Sequence, residues 1–286
     1  MRNKKIVATL LMMLATLLWG SSFIATKYVT ESVPTFLLIA FRMILGGLSL
    51  VFIYHKKLKL VNKEVVLRGV ILGVFYCAGM VLQTMGVKYT SAGRSAFLTS
   101  AYCIIVPFLE WAILKDKPEL KNIISAIVCV IGVGLVALTS SFSIDSGDLY
   151  TLFGSICFGM SIVLLAFYMR KYDGIMLNTF LLLSAGIMAL VISLIFENIP
   201  TSFKTSEILG ALYLAIACSG IPLAFQAMAQ EELSPTVVSI ILGFEAVFAS
   251  VLSAIIYKET FTLRCLIGFA LIFGSVFISI IETKKK

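Results

Sequence analysis

The chain alternates from end to end between long apolar stretches and short polar breaks. An apolar run of about 20 residues, wound as α-helix, matches the hydrocarbon thickness of a bilayer. The breaks place ten such helices, at residues 6–28, 34–54, 67–87, 92–114, 121–139, 149–169, 175–196, 207–228, 235–257 and 263–281. Pro34 and Pro235 stand at helix starts, where a missing N–H is no loss. Pro107 and Pro222 fall inside spans and predict local kinks, because each removes one helical hydrogen bond.

Composition agrees with this reading. The chain has 286 residues, 60% hydrophobic and only 13% charged, where a soluble domain carries about 25% charged residues. With a mean hydropathy of +1.04, too little polar surface is left to coat a water-soluble globule. A polytopic, all-α integral membrane protein is predicted, with the lipid bilayer as its solvent. The net charge of +8 comes from short basic clusters between apolar runs, a topology signal and not a nucleic-acid patch. Cys77, Cys103, Cys129, Cys157, Cys218 and Cys265 all lie in apolar segments without a CxxC or Cys/His pairing. They read as small buried residues, so no disulfide, metal site or cofactor is expected. The opening MRNKK with its apolar run has the look of a signal peptide. Its length and the lack of an A-x-A site predict an uncleaved first span.

With the N-terminus placed in the cytoplasm, sixteen Lys and Arg fall inside, from Arg2 to Lys286. Six fall outside (Lys27, Lys88, Arg94, Lys204, Lys258 and Arg264), and Arg42 lies within a span. The positive-inside rule then predicts ten spans in a bacterial-type cell membrane, with both ends cytoplasmic.

An internal repeat sharpens the picture. Residues 91–117, SAGRSAFLTSAYCIIVPFLEWAILKDK, align without a gap on residues 234–260, SPTVVSIILGFEAVFASVLSAIIYKET, at an offset of 143. Ser91 meets Ser234, Lys115-Asp116 meets Lys258-Glu259, and Gln83 meets Gln226. TFLL at 35–38 recurs at 179–182. These matches predict a duplicated five-helix unit, residues 1–143 and 144–286. An odd number of spans per unit inverts the second copy. Inverted repeats are a mark of secondary transporters, whose substrate site lies near the midplane between the copies.

The segments VKYTSAGRSAFLTSAYCIIVPFLEWAILKDKP and LSPTVVSIILGFEAVFASVLSAIIYKETFTLRCLIGFALIFGSVFI resemble the two EamA domains of the drug/metabolite transporter superfamily. The early LLWGSSFIATK is similar to that family's first helix, and the likeness covers nearly the whole chain. It implies a ten-helix bundle around a central cavity, with exporters of amino acids or related metabolites among the relatives. Many relatives carry proline after the equivalents of Tyr102 and Glu245, where this chain has Cys103 and Ala246.

Candidate site residues follow from the repeat. Tyr76, Met80 and Gln83 share one face of the third helix, and their counterparts are Ser219, Leu223 and Gln226. Tyr102 pairs with Glu245, and Ser95 and Thr99 extend the Tyr102 face. On the first helix Trp19, Ser22 and Thr26 share a face, and Phe158 and Ser161 are the sixth helix's candidates. The substrate-binding set is therefore Trp19, Ser22, Tyr76, Gln83, Ser95, Thr99, Tyr102, Phe158, Ser161, Gln226 and Glu245. Gln83 and Gln226 equally fit plain interhelical hydrogen bonds, and Ser219 fits a bond to its own helix beside Pro222.

Three charges lie within spans. Glu110, five residues before Lys115, reaches the interface and reads as structural. Arg42 is expected to pair with a helix-end carbonyl or a carboxylate. Glu245 is the deepest, ten residues past Pro235, and such a burial must be offset by a partner, protonation or water. It is the candidate for proton coupling, with a fixed pair to Arg42 as the alternative. Ser239, Gly243, Ala246, Ser250 and Ser253 form a separate small-residue stripe suited to helix packing, and Gly69 with Gly73 forms a GxxxG.

These features predict a secondary transporter, and not an enzyme, exporting a neutral or zwitterionic small molecule such as an amino acid. Uptake, exchange or drug efflux by the same fold are the alternatives, and oligomeric state is left open. An intramembrane enzyme is disfavoured because His55, the one histidine, lies in a basic loop and HExxH and GxGD are absent. A receptor or scaffold would leave the repeat unexplained. No Walker motif appears, so the energy would come from a gradient.

Overall fold

In lipid no water can satisfy a backbone N–H or C=O, so a spanning segment of this composition must be helical. The computed structural model describes residues 2–89, 92–137, 146–257 and 262–280. Ser91, Lys258, Glu259 and Lys284 to Lys286 lie outside the described residues, as does the side chain of Ser253. The helices are α1 (Arg2–Val29), α2 (Thr35–Ile53), α3 (Lys63–Tyr89), α4 (Ala92–Thr99), α5 (Tyr102–Leu114), α6 (Leu120–Ala137) and α7 (Ser146–Met169). They continue as α8 (Gly174–Phe196), α9 (Thr205–Ala215), α10 (Ile221–Gln230), α11 (Pro235–Leu242), α12 (Phe244–Tyr257) and α13 (Leu263–Ile280). Among the described residues, nine helices or helix pairs are long and apolar enough to cross a membrane. The tenth, α6, carries the shorter apolar stretch Leu120–Val136.

The neighbours of each helix repeat between the halves. α3 packs on α7 as α10 packs on α1, and α5 packs on α7 as α12 packs on α1. α2 lies against α8, and α6 against α13. Exchanging the halves carries this pattern onto itself. The architecture is two inverted-topology five-helix repeats around a central cavity, with α6 and α13 packed together outside its wall.

Three of the spans are broken helices. The fourth breaks between α4 and α5 at Ser100–Ala101, and the ninth between α11 and α12 at Gly243. Ser100 and Gly243 are partners at the 143 offset, so the breaks are equivalent. Neither break has a proline in it. The backbone instead tightens to i→i−3 bonds, from Ala101 N to Leu98 O and from Gly243 N to Ile240 O. The eighth span breaks at a π turn, Ile216–Gly220, immediately before Pro222. The kink expected from Pro222 is thus present, whereas Pro107 lies inside a continuous α5, past the break in its span.

Close packing fixes the bundle. A Cβ on Gly69 would run into the Phe180 Cβ, and one on Gly73 would press on Ser184. The GxxxG pair therefore lets α3 lie directly on α8. Helix ends are tied by carboxylates: Glu197 accepts from the N–H groups of Phe36 and Leu37 at the start of α2, at 2.9 Å each. Glu110 does the same for α11, accepting from Thr236 N at 2.9 Å and from the Thr236 hydroxyl. Its structural reading matches these contacts.

Candidate functional site

The broken helices together with α1, α2, α3 and α7 line a partly open central cavity. Ten of the eleven candidates line it: Trp19, Ser22, Tyr76, Gln83, Thr99, Tyr102, Phe158, Ser161, Gln226 and Glu245. Phe23, Arg42, Met80, Ile162 and Leu242 complete the wall. Both repeats contribute, and four offset pairs face the same space: Trp19 with Ile162, Gln83 with Gln226, Thr99 with Leu242, and Tyr102 with Glu245.

The breaks explain why these pairs meet. Thr99 and Tyr102 flank the Ser100–Ala101 break, and Leu242 and Glu245 flank Gly243. A straight helix would advance 100° per residue and carry Ser95 onto the Thr99–Tyr102 face. The break changes the register of Tyr102 relative to Thr99, but Ser95 and Thr99 share the unbroken α4, with Ser95 one turn farther from the break. Ser95 is fully buried away from the cavity and lies 3.3 Å from the Thr151 hydroxyl of α7. Ser95 is therefore removed from the cavity-lining set. Ser219, the counterpart of Tyr76, also lies off the wall. Its hydroxyl donates to Leu214 O at 2.8 Å, the bond within its own span expected beside Pro222.

The polar lining is partly self-satisfied. Gln83 Nε2 donates to Thr99 Oγ1 at 3.1 Å. Gln226 Nε2 donates to Gln230 Oε1 at 3.2 Å, and Gln230 Nε2 in turn to Ile162 O. Ser22 donates to Trp19 O one turn back. Tyr76 and Phe158 form an edge-to-face pair with centroids 5.5 Å apart, an aromatic step in the wall. The Tyr102 hydroxyl, in contrast, is buried without a hydrogen-bond partner. It lies beside Glu245, the polar group it interacts with across the cavity wall.

Arg42 and Glu245 are the charged groups of the lining, 4% and 5% exposed. No ion pair joins them within 4.0 Å among the described residues. Arg42 is held instead by the broken eighth span: Nε donates to Ser219 Oγ at 2.7 Å and Nη2 to Cys218 O at 2.8 Å. Pro222 is the cause, since the Cys218 carbonyl would otherwise accept from the N–H of residue 222. Hydrophobic spacing gives no sign of this contact, and only the proline four residues after Cys218 marks the freed acceptor.

Glu245 is positioned by the first helix. A Cβ on Gly20 would come within 2.8 Å of both the Glu245 carbonyl and the Phe248 Cβ, so α1 and α12 touch backbone to backbone there. The small-residue stripe faces the other way. Gly243 lies against Cys129 and Val133 of α6, and Ser239 O accepts from the Cys103 thiol.

The model of the EamA-like transporter family matches this chain twice, over residues 6–138 and 145–281. The chain belongs to that family. As an EamA-like transporter it is similar to an uncharacterized transporter of Archaeoglobus fulgidus, 26% identical over 91% of this chain and 81% of the relative. Two Bacillus subtilis proteins, the uncharacterized transporters YoaV and YetK, are 22% and 27% identical. They cover 92% and 93% of this chain, and 93% and 84% of their own lengths is matched. A crystal structure superposes with a TM-score of 0.79 at 17% identity, covering 96% of both chains. That likeness concerns the fold, and membership of the EamA-like family makes the chain a membrane transporter.

Proposed function

We propose that the protein is a secondary active exporter of amino acids or related small metabolites, working by alternating access around the central cavity. One observation carries the reading: equivalent residues of the two inverted repeats, Gln83 with Gln226 and Tyr102 with Glu245, line one space. Rocking of one repeat against the other would open such a space to either side in turn. The walls are mostly uncharged, and the single cation and single carboxylate favour a neutral or zwitterionic solute. Trp19, Ser22, Tyr76, Gln83, Thr99, Tyr102, Phe158, Ser161 and Gln226 are proposed to contact the solute, and Glu245 to carry a coupled proton. The excess of basic residues on one side of the membrane supports a cell-membrane protein with both ends in the cytoplasm.

Vesicle flux with a panel of labelled amino acids, with and without a pH gradient, tests this. Uphill movement of a panel member on imposing the gradient is the expected result. Inside-out and right-side-out vesicles separate export from uptake. If no member moves in either orientation, the amino-acid assignment fails.

A further inference from the structure

Arg42 is a buried guanidinium at the cavity wall whose contacts leave part of its fork unused. An arginine presents five N–H donors in one plane. Its Nε and Nη2 bond to Ser219 and Cys218 on the eighth span. The Nη1 group makes no hydrogen bond to a described residue, and Arg42 lines the cavity. No carboxylate lies within 4.0 Å of it among the described residues. A buried cation without an anionic partner is costly, and a site that holds one in fixed geometry is prepared for an anion from outside.

We propose that Arg42 anchors the carboxylate of the transported solute, with the solute's cationic group directed toward Glu245. This inference rests on the transport reading of the same cavity and adds the chemistry of recognition. Three observations converge on it. Arg42 is oriented from behind by Ser219 and the Cys218 carbonyl, so its free edge is pre-organised. Tyr76 lines the same wall as Arg42 and Glu245 and interacts electrostatically with both. The Tyr102 hydroxyl, beside Glu245, adds a second polar group at the carboxylate end of the same wall. A phosphate fits less well, because its second charge would meet Glu245 without a second cation in the wall. The Tyr76–Phe158 pair and Trp19 offer an apolar surface for the solute's side chain.

The chain has two tryptophans. Trp111 lies on the outer face, 49% exposed, so Trp111→Phe leaves Trp19 as the reporter of cavity occupancy. In this background, purified in nanodiscs, Trp19 fluorescence is titrated with L-leucine, L-methionine and L-phenylalanine. Each amino acid is compared with the amine left by its decarboxylation. At least one amino acid should bind with its amine weaker by about tenfold or more, the worth of a charge-assisted contact. Arg42→Gln should weaken the amino acid by a similar factor and leave the amine unchanged. Arg42→Lys, which keeps the charge but loses the fork, should fall between. The comparison of acid with amine needs no Arg42 variant, so it stands even if Arg42→Gln does not fold. Equal binding of acid and amine overturns the proposal, as does no response to any of the three acids up to about 10 mM. Flux separates the two readings. Transport of an amino acid with KM unchanged by Arg42→Gln sinks the anchor and leaves the exporter standing. Carboxylate-dependent binding without flux does the reverse.

Discussion

Arg42 Nη2 donates at 2.8 Å to the carbonyl of Cys218, the group that Pro222 deprives of its helical donor. One proline thus creates both the π turn of the eighth span and the acceptor that holds a buried cation. The contact ties α2 of the first repeat to the broken helix of the second.

Pro222→Ala restores an N–H that competes with Arg42 for the Cys218 carbonyl. We expect the π turn to shorten and flux to fall by about tenfold, with thermal stability in detergent unchanged or raised. Transport assayed beside thermal unfolding checks this, and wild-type flux would mean that the turn is not needed for function.

Glu245→Gln keeps the size of the side chain and removes its ability to ionise. Flux, or its pH dependence between about pH 5.5 and about pH 8, should change while expression stays near normal. A pH profile identical to the wild type would reduce Glu245 to a structural role.

Ser95 and Thr99 lie one turn apart, yet only Thr99 faces the cavity. Thr99→Val should raise KM by about threefold to tenfold through loss of the Gln83 contact. Ser95→Ala should leave KM within about twofold and lower stability by about 0.5–1 kcal/mol. Paired kinetics and unfolding of the two variants distinguish the roles, and equal KM effects would refute the assignment of faces.

Gly20→Val would drive a side chain into the Glu245 carbonyl and the Phe248 Cβ, both 2.8 Å from its Cβ position. A loss of about 1–3 kcal/mol is expected from such overpacking, seen as reduced folded yield and earlier thermal unfolding. Tolerance of valine would show that α1 can shift away from α12.

Glu110→Ala removes the acceptor for Thr236 N and its hydroxyl at the start of α11. Stability should drop by about 1–2 kcal/mol, while KM stays within about twofold. A large KM change with intact stability would place Glu110 in the transport path.

Most of the bundle is legible from residue order alone. Apolar runs bounded by Gly, Pro and basic clusters mark the spans because the bilayer sets their length and forces their backbone to be helical. The 143 offset predicts which residues are equivalent, and ten candidates chosen from it and from helix faces do share one cavity. Ser95 was misplaced by the same reasoning, because a face drawn at 100° per residue gives a direction and not the neighbour met at each level: one turn before Thr99 that neighbour is Thr151 of α7. The break at Ser100 has no proline to announce it. It is a local i→i−3 tightening, opposite the equivalent break at Gly243.

Sequence by itself determined the solvent, the helices, the duplication and the depth of Glu245, since each depends on spacing along one chain. Tertiary structure alone decided what meets each charge. Arg42 and Glu245 are not a pair: the cation is held by Ser219 and Cys218, and the carboxylate lies near Tyr102. Those choices depend on contacts between residues far apart in the chain, such as 42 with 218 and 20 with 245. Helix periodicity constrains directions within one element, and only packing between elements fixes which polar groups find partners and which are left facing the cavity.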